Sequence, residues 1–182
     1  MRQSKFSTLF LATALLLMVL PFISTFNEFL TSLLLKWKAY RILEEIVVPY
    51  EAKVVAGMLN FVHIYSSATQ RGVWIRGTFL EIQWNCLGWQ SAVLLLASFL
   101  TGFQGSFSKI SRLEVLAIGF LGTYLVNISR IMLVGLFAVT FGRTAAVVFH
   151  DWFSLAFVIV WFFGFWWFSY NFVLEEVEAK SA

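Results

Sequence analysis

The chain has 182 residues, 60% of them hydrophobic and 19% aromatic, with only 13 basic and 10 acidic side chains. Soluble domains carry about 25% charged residues, and eight Trp plus 21 Phe at 13% charge leave too little polar skin for one. The apolar surplus also excludes intrinsic disorder. A net charge of +3 is too small a footprint for nucleic acid, and a single cysteine excludes a disulfide framework or a multi-thiolate metal site.

In chain order, residues 6–35 contain one ionisable side chain, Glu28, and offer about 45 Å of helix at 1.5 Å per residue. The run follows Arg2 and Lys5, and Ile23-Ser24-Thr25-Phe26 lacks a small-x-small cleavage site, so residues 1–35 read as an uncleaved signal anchor with a kink at Pro21. Residues 36–85 are the polar third, an extracytoplasmic or interfacial segment holding Lys36, Lys38, Arg41, Glu44, Glu45, Glu51, Lys53, Arg71, Arg76 and Glu81. Within it residues 46–64 are apolar but carry Glu51 and Lys53, the pattern of a surface or partly inserted helix, with a further crossing as the alternative. From Gly72 the period becomes two. Leu80, Ile82, Trp84 and Cys86 alternate with Phe79, Glu81, Gln83 and Asn85, which reads as a strand or hairpin delivering Cys86 to the mouth of the next helix.

That helix is expected over residues 87–103, which bear no charge, and a polar turn follows. Residues 113–141 are interrupted only by Glu114 and Arg130 and exceed one span, so a helix ending near Arg130 or bending beyond it is expected. Residues 152–172 form the last apolar run, and 173–182 a cytoplasmic tail. The reading is an all-α polytopic membrane protein of about four to five transmembrane helices, with a short extracytoplasmic β-hairpin or strand before Cys86. It is one membrane domain whose residues 86–172 form a three-span core. Arg2 and Lys5 before the first span, and Lys109 and Arg112 between the second and third, place both groups in the cytoplasm. Cys86, Arg130 and His150 then share the outer face.

Arg130 lies deep in an apolar run, where insertion costs about 2.5 to 3.5 kcal/mol and an intramembrane ionisable group is a functional candidate by default. On a helix Thr123, Asn127 and Arg130 form one polar stripe, facing protein or a wet cleft. A lone Cys is more often packing than chemistry. Cys86, however, sits where a strand pattern becomes a helix pattern, and a helix amino terminus favours thiolate. Gln90 follows one turn later and could donate a hydrogen bond. His150, with Asp151 beside it, opens the last run, and His63 is the only other histidine. One such His does not make up a zinc ligand set, and no cofactor is expected. A thiol, an imidazole and a guanidinium at one surface are sufficient for acyl transfer: nucleophile, base, and positive charge for an oxyanion.

The ordered set Asn85-Cys86-Leu87-Gly88-Trp89-Gln90-Ser91, then Asn127-Ile128-Ser129-Arg130-Ile131, then Gly142 and His150-Asp151 resembles the exosortase/archaeosortase family of membrane cysteine transpeptidases. The resemblance covers roughly residues 72–165. Leu87 replaces the small hydroxyl residue that many members carry after the Cys, and Trp152, Phe153 and Ser154 stand where a Gly often follows the His. The resemblance implies Cys86 as nucleophile, Arg130 as the group that activates the thiol or holds the oxyanion, and His150 as base then acid; the positions of Asn127, Gln90 and Asp151 make them the expected substrate-binding or supporting residues. It also implies substrates: secreted proteins with a carboxyl-terminal tail of short motif, hydrophobic span and basic cluster, cut after the motif and passed to an acceptor, a lipid in some cases. The competing reading is non-enzymatic, a small membrane transporter or an assembly subunit that uses Arg130 for anion binding or packing.

Overall fold

The computed structural model describes residues 40–176, together with 28, 31, 32 and 35–38. The signal-anchor expectation for 1–35 and the end of the tail, 177–182, lie outside or almost outside the described residues. Contacts divide the chain into Met1–Ile42 and Leu43–Ala182, and every element below belongs to the second unit.

Helix α1, Val48–Phe61, is entered through a π-helical turn, Leu43–Val47, and has Pro49 in its first turn, where a missing N–H costs nothing. Val48, Ala52, Val55, Ala56 and Leu59 form its buried face at helical spacing. Glu51 is buried among them at 2% exposure. The helix stops at His63, which takes a left-handed φ of 62° while its N–H donates to the Asn60 carbonyl at 3.0 Å. The Asn60 amide then pins the next strand, donating to the Ser66 carbonyl and accepting from its N–H, both at 2.9 Å.

Strands β1 (Ser66–Ala68), β2 (Gly72–Ile75) and β3 (Thr78–Glu81) form an antiparallel sheet in that order. The β2–β3 turn places Arg76 and Gly77 at φ of 47° and 86°, the paired positive φ values that a two-residue type I′ hairpin needs. Val73 and Ile75 face the core, and Trp74 and Phe79 pair on the other face with ring centroids 5.2 Å apart. The hairpin was legible in the alternation, but its extent was not. Strand β3 ends at Glu81, and Trp84–Cys86 are a 3-10 turn, because the backbone must reverse there to enter the next helix. Strand β1, Ser-Ser-Ala, has no apolar alternation that would have marked it.

Helix α2, Trp89–Gly102, has 14 residues, about 21 Å, shorter than a membrane span. Helix α3, Lys109–Phe141, starts at Ser108, whose hydroxyl accepts from the Ser111 N–H at 3.1 Å. Its 33 residues are continuous, so the expected helix end near Arg130 is not there. Ile128 and Ile131 bury on either side of Arg130 and packing carries the helix through. It ends at Gly142, which has φ 85°. The chain then folds back as α4 (Arg143–Val148), a π-helical turn (Phe149–Phe153), α5 (Ser154–Phe168) and a second π-helical turn (Ser169–Val173). His150 therefore does not open the last helical segment. That segment begins at Arg143, because Gly142 and not the first apolar residue sets the turn.

Among the described residues, two segments, Lys109–Phe141 and Arg143–Val173, are long and apolar enough to cross a membrane. Helix α5 is apolar on all sides and exposes Phe157, Val160, Phe163 and Trp167, the dress of a lipid-facing helix. Gly119 lies against Phe99 and Phe165, Gly122 against Trp161 and Gly102 against Trp166, so small residues admit the large rings of neighbouring helices. Gly135 does the same for Ile75 and Leu80 of the sheet. At the opposite end the Ser108 N–H donates to the Glu175 carbonyl at 3.0 Å, tying the start of the tail to the loop before α3.

Candidate functional site

Three segments far apart in sequence meet beside the sheet. The 3-10 turn after β3 presents Cys86, the second half of α3 presents Arg130, and the π-helical turn before α5 presents His150. Cys86 Sγ lies 3.8 Å from His150 Nε2. Arg130 Nη2 donates to the Cys86 backbone carbonyl at 2.7 Å. On the far side of the imidazole, Nδ1 and Asp151 Oδ1 are 3.0 Å apart. When Nδ1–H donates to that carboxylate, Nε2 is left basic and aimed at the sulfur. Asp151 is 59% exposed, so its value is orientation and not Coulomb energy. A single-turn π-helical widening is a common device at functional sites, and here it holds the His-Asp pair.

Burial pushes the Cys86 thiol up, but the His150 hydrogen bond and the nearby His150 and Arg130 groups outweigh it, and the thiol rests below its usual value. Leu80, Ile82, Cys86, Arg130, Val134 and His150 surround a cavity of about 50 Å³. That is room for a water or a carbonyl oxygen, not for a whole substrate. Two larger grooves, each about 510 Å³, lie elsewhere. One is apolar, between α3 and α5 at Ile118, Val126, Trp161 and Gly164. The other is polar, at Glu44, Glu45, Arg71 and Gln83, and shares Glu81 and Ile82 with the thiol cavity. Volume alone would point away from the chemistry, whereas the convergence of titratable groups identifies the small cavity as the candidate.

The polar stripe on α3 faces protein, as its spacing implied. The Trp161 indole N–H donates to the Thr123 hydroxyl at 3.0 Å. Asn127 is 6% exposed and covers Gly88, where an added Cβ would lie 2.7 Å from Asn127 Cγ. Gly88 has φ 73° and ψ 11°, a left-handed turn that swings the chain from Cys86 into α2. Asn127 and Arg130, one helical turn apart, thus hold both ends of the Cys86–Gly88 turn. Gln90 is half-buried in the first turn of α2, and its position alone relates it to Cys86. Trp84 and Trp89 stack over the turn with centroids 6.0 Å apart.

Gly88→Ala adds a strained φ to a clash with Asn127, and is expected to cost about 2 kcal/mol. Thermal unfolding of the purified protein should show the loss, and adding Asn127→Ala should recover only the steric share. An unchanged melting temperature would mean that the turn is not held as described.

Glu51 of α1 is the residue that reading the sequence did not bring to the site. Its carboxyl is within electrostatic reach of Arg130 and Asn127, and Glu51 Oε2 and Asn127 Nδ2 are both buried without a hydrogen-bond partner among the described residues. Burial pushes the carboxyl up to about 7 against the pull of those two neighbours. The signal was present, since position 51 falls on the same face as Val48, Ala52 and Val55, an acid inside an apolar stripe. Among the described residues, no group of three or more His, Cys, Asp or Glu side chains is arranged to hold a metal ion. Comparison of the chain with protein families, with curated proteins and with solved structures finds no match.

Proposed function

We propose that the protein is a membrane-embedded cysteine peptidase or transpeptidase of the exosortase/archaeosortase kind. It cleaves the carboxyl-terminal sorting tail of secreted proteins and passes the new carboxyl group to a lipid or another surface acceptor. The observation that carries the reading is the Cys86 Sγ to His150 Nε2 approach of 3.8 Å, with Arg130 fixed on the Cys86 carbonyl. Anion binding by Arg130 alone leaves that thiol–imidazole pair without a use. The four-to-five-span topology and an active site at the extracytoplasmic face of the plasma membrane belong to the same proposal. They rest on the two long apolar helices and on the basic residues flanking the spans.

In this mechanism His150 Nε2 takes the thiol proton as Cys86 Sγ bonds to the peptide carbonyl carbon. The carbonyl π electrons move to oxygen, and the oxyanion meets a guanidinium N–H not engaged with the Cys86 carbonyl. When the C–N bond breaks, His150 returns its proton to the leaving amine and a thioester remains. An acceptor amine, hydroxyl or water then attacks that thioester and gives its proton to His150, releasing the thiolate. A tail anchored by its own span presents the scissile bond at bilayer height and so supplies proximity.

Two measurements test this reading. A tail-bearing reporter co-expressed with the protein is released from its tail by the parent and not by a Cys86 variant. Independently of any substrate, iodoacetamide alkylates Cys86 with a pH profile below that of an ordinary thiol, and His150→Ala moves the profile up, since the imidazole is the main influence holding the thiol down. A profile indifferent to His150 would sink the pairing. A membrane-impermeant reagent applied to intact cells reports the face, and the single cysteine makes its target unambiguous. Labelling from the cytoplasmic side only would overturn the proposed orientation.

A further inference from the structure

The three-stranded sheet has two outer edges, and α1 caps one of them. On β1 the N–H and C=O of Ser66 are both taken by the Asn60 amide, and the Ser66 hydroxyl donates to the Ala56 carbonyl at 3.0 Å. The other edge is β3, Thr78–Glu81, and the hairpin turn sets its phase. A two-residue hairpin closes on a bonded pair, here Ile75 and Thr78, and bonded and non-bonded pairs alternate from there. Thr78 and Leu80 therefore point their N–H and C=O at β2, and the series continues with the Ile82 N–H donating to the Arg71 carbonyl at 2.9 Å. Phe79 and Glu81 point theirs outward. Both residues are exposed, and their outward backbone groups have no hydrogen-bond partner among the described residues.

We propose that the free edge of β3 is a substrate-docking edge, on which the extended peptide segment beside the scissile bond adds as a fourth strand. This rests on the reading of Cys86 as a nucleophile that acts on peptides. Backbone chemistry selects the kind of occupant: the complement of two N–H and two C=O groups at a two-residue spacing is another extended chain. Position selects which chain. Leu80, Glu81 and Ile82 line the thiol cavity together with Cys86, Arg130 and His150, so the edge ends at the reactive groups. That cavity, about 50 Å³, takes a carbonyl oxygen and leaves the rest of a substrate to be held outside it. A chain paired with Phe79 and Glu81 advances about 3.3 Å per residue and brings its next peptide group to the cavity mouth. Proline or a bulge ordinarily blunts an exposed edge, and β3 has neither.

Cross-linking tests the docking without relying on turnover. Glu81→Cys in a Cys86→Ala background gives the full chain a single thiol, at the end of the edge. Reporter tails that each carry one cysteine, moved residue by residue through the motif, are allowed to form disulfides with this variant in detergent. The yield is expected to alternate several-fold with a period of two along the tail, because successive side chains of an added strand take opposite faces. A flat yield, a helical spacing or no cross-link would overturn the docking. So would a disulfide between two copies of the variant in place of the tail, which would make the edge a contact between copies of this chain. In the protein that keeps Cys86, Phe79→Pro removes one outward N–H and leaves the bonds to β2 in place, since an edge residue with its N–H turned outward tolerates Pro. It is expected to raise KM for tail cleavage at least about fivefold with kcat within about twofold, and Phe79→Ala, which loses the same ring but keeps the N–H, to do much less. Equal KM in the two variants, with the iodoacetamide profile of Cys86 intact in both, would overturn the backbone role. If Phe79→Pro loses that profile, the cross-linking pattern decides by itself. A period-two pattern from a protein that cleaves no tail leaves the docking edge standing and removes the peptidase reading, and cleavage without the pattern does the reverse.

Discussion

Replacing Cys86 with alanine is expected to reduce release of a sorting tail at least about 10³-fold, the scale on which removal of a nucleophile acts in acyl transfer. Cys86→Ser should be almost as inactive. The imidazole 3.8 Å from the sulfur meets a thiol already held below its usual value. A serine hydroxyl at the same place is a far weaker acid, so the proton transfer to His150 that accompanies attack is much harder. Both variants should fold, since Cys86 is only partly buried and packs at the edge of the core. Two readouts separate chemistry from structure: the tail fragment on a gel, and a hydroxylamine-sensitive thioester between protein and substrate, present in the parent and missing from both variants. Tail release by either variant at the parental rate would end the nucleophile assignment.

Arg130→Lys carries the second large effect, about 10²-fold in kcat with little change in KM. Lysine keeps the charge, so a purely Coulombic role would survive the change. The guanidinium does two things from one place: it donates to the Cys86 carbonyl at 2.7 Å and lines the thiol cavity. A planar fork of five N–H donors can serve the carbonyl and a developing oxyanion together, whereas an ammonium on a flexible stem gives up one to satisfy the other. Arg130→Lys with parental kcat would show that charge alone is used. A rise confined to KM would move Arg130 from the transition state to substrate binding.

The site was legible in sequence to different depths at different residues. Arg130 was conspicuous because a cation interrupts an apolar run, and the stripe from Thr123 to Arg130 followed from helical spacing. Thr123 and Asn127 do face protein, bonded to Trp161 and packed on Gly88. Gly88 itself was only one of 11 glycines, and its left-handed turn becomes visible once Asn127 is seen above it. In the sequence Glu51 argues for a surface helix. Its burial depends on the sheet and α3 both packing over one face of α1, which no local pattern contains. Helix ends went wrong for a related reason. Composition marks where lipid-compatible residues stop, but Gly142 and packing around Arg130 set where the backbone turns, so α3 runs on to Phe141 and the next helical segment begins at Arg143.

By itself the sequence determined the apolar character of the chain, the hairpin and which polar groups stand out in it, because composition, alternation and an isolated charge are local properties of the chain. Only the tertiary structure decided which of those groups meet. Cys86 and His150 are 64 positions apart, and their 3.8 Å approach depends on the reversal at Gly142 and on the turn at Gly88. Such an approach is set by the angles and contacts of packed helices, where a displacement of about 1 Å separates a working pair from an idle one, and nothing local in the chain records that distance.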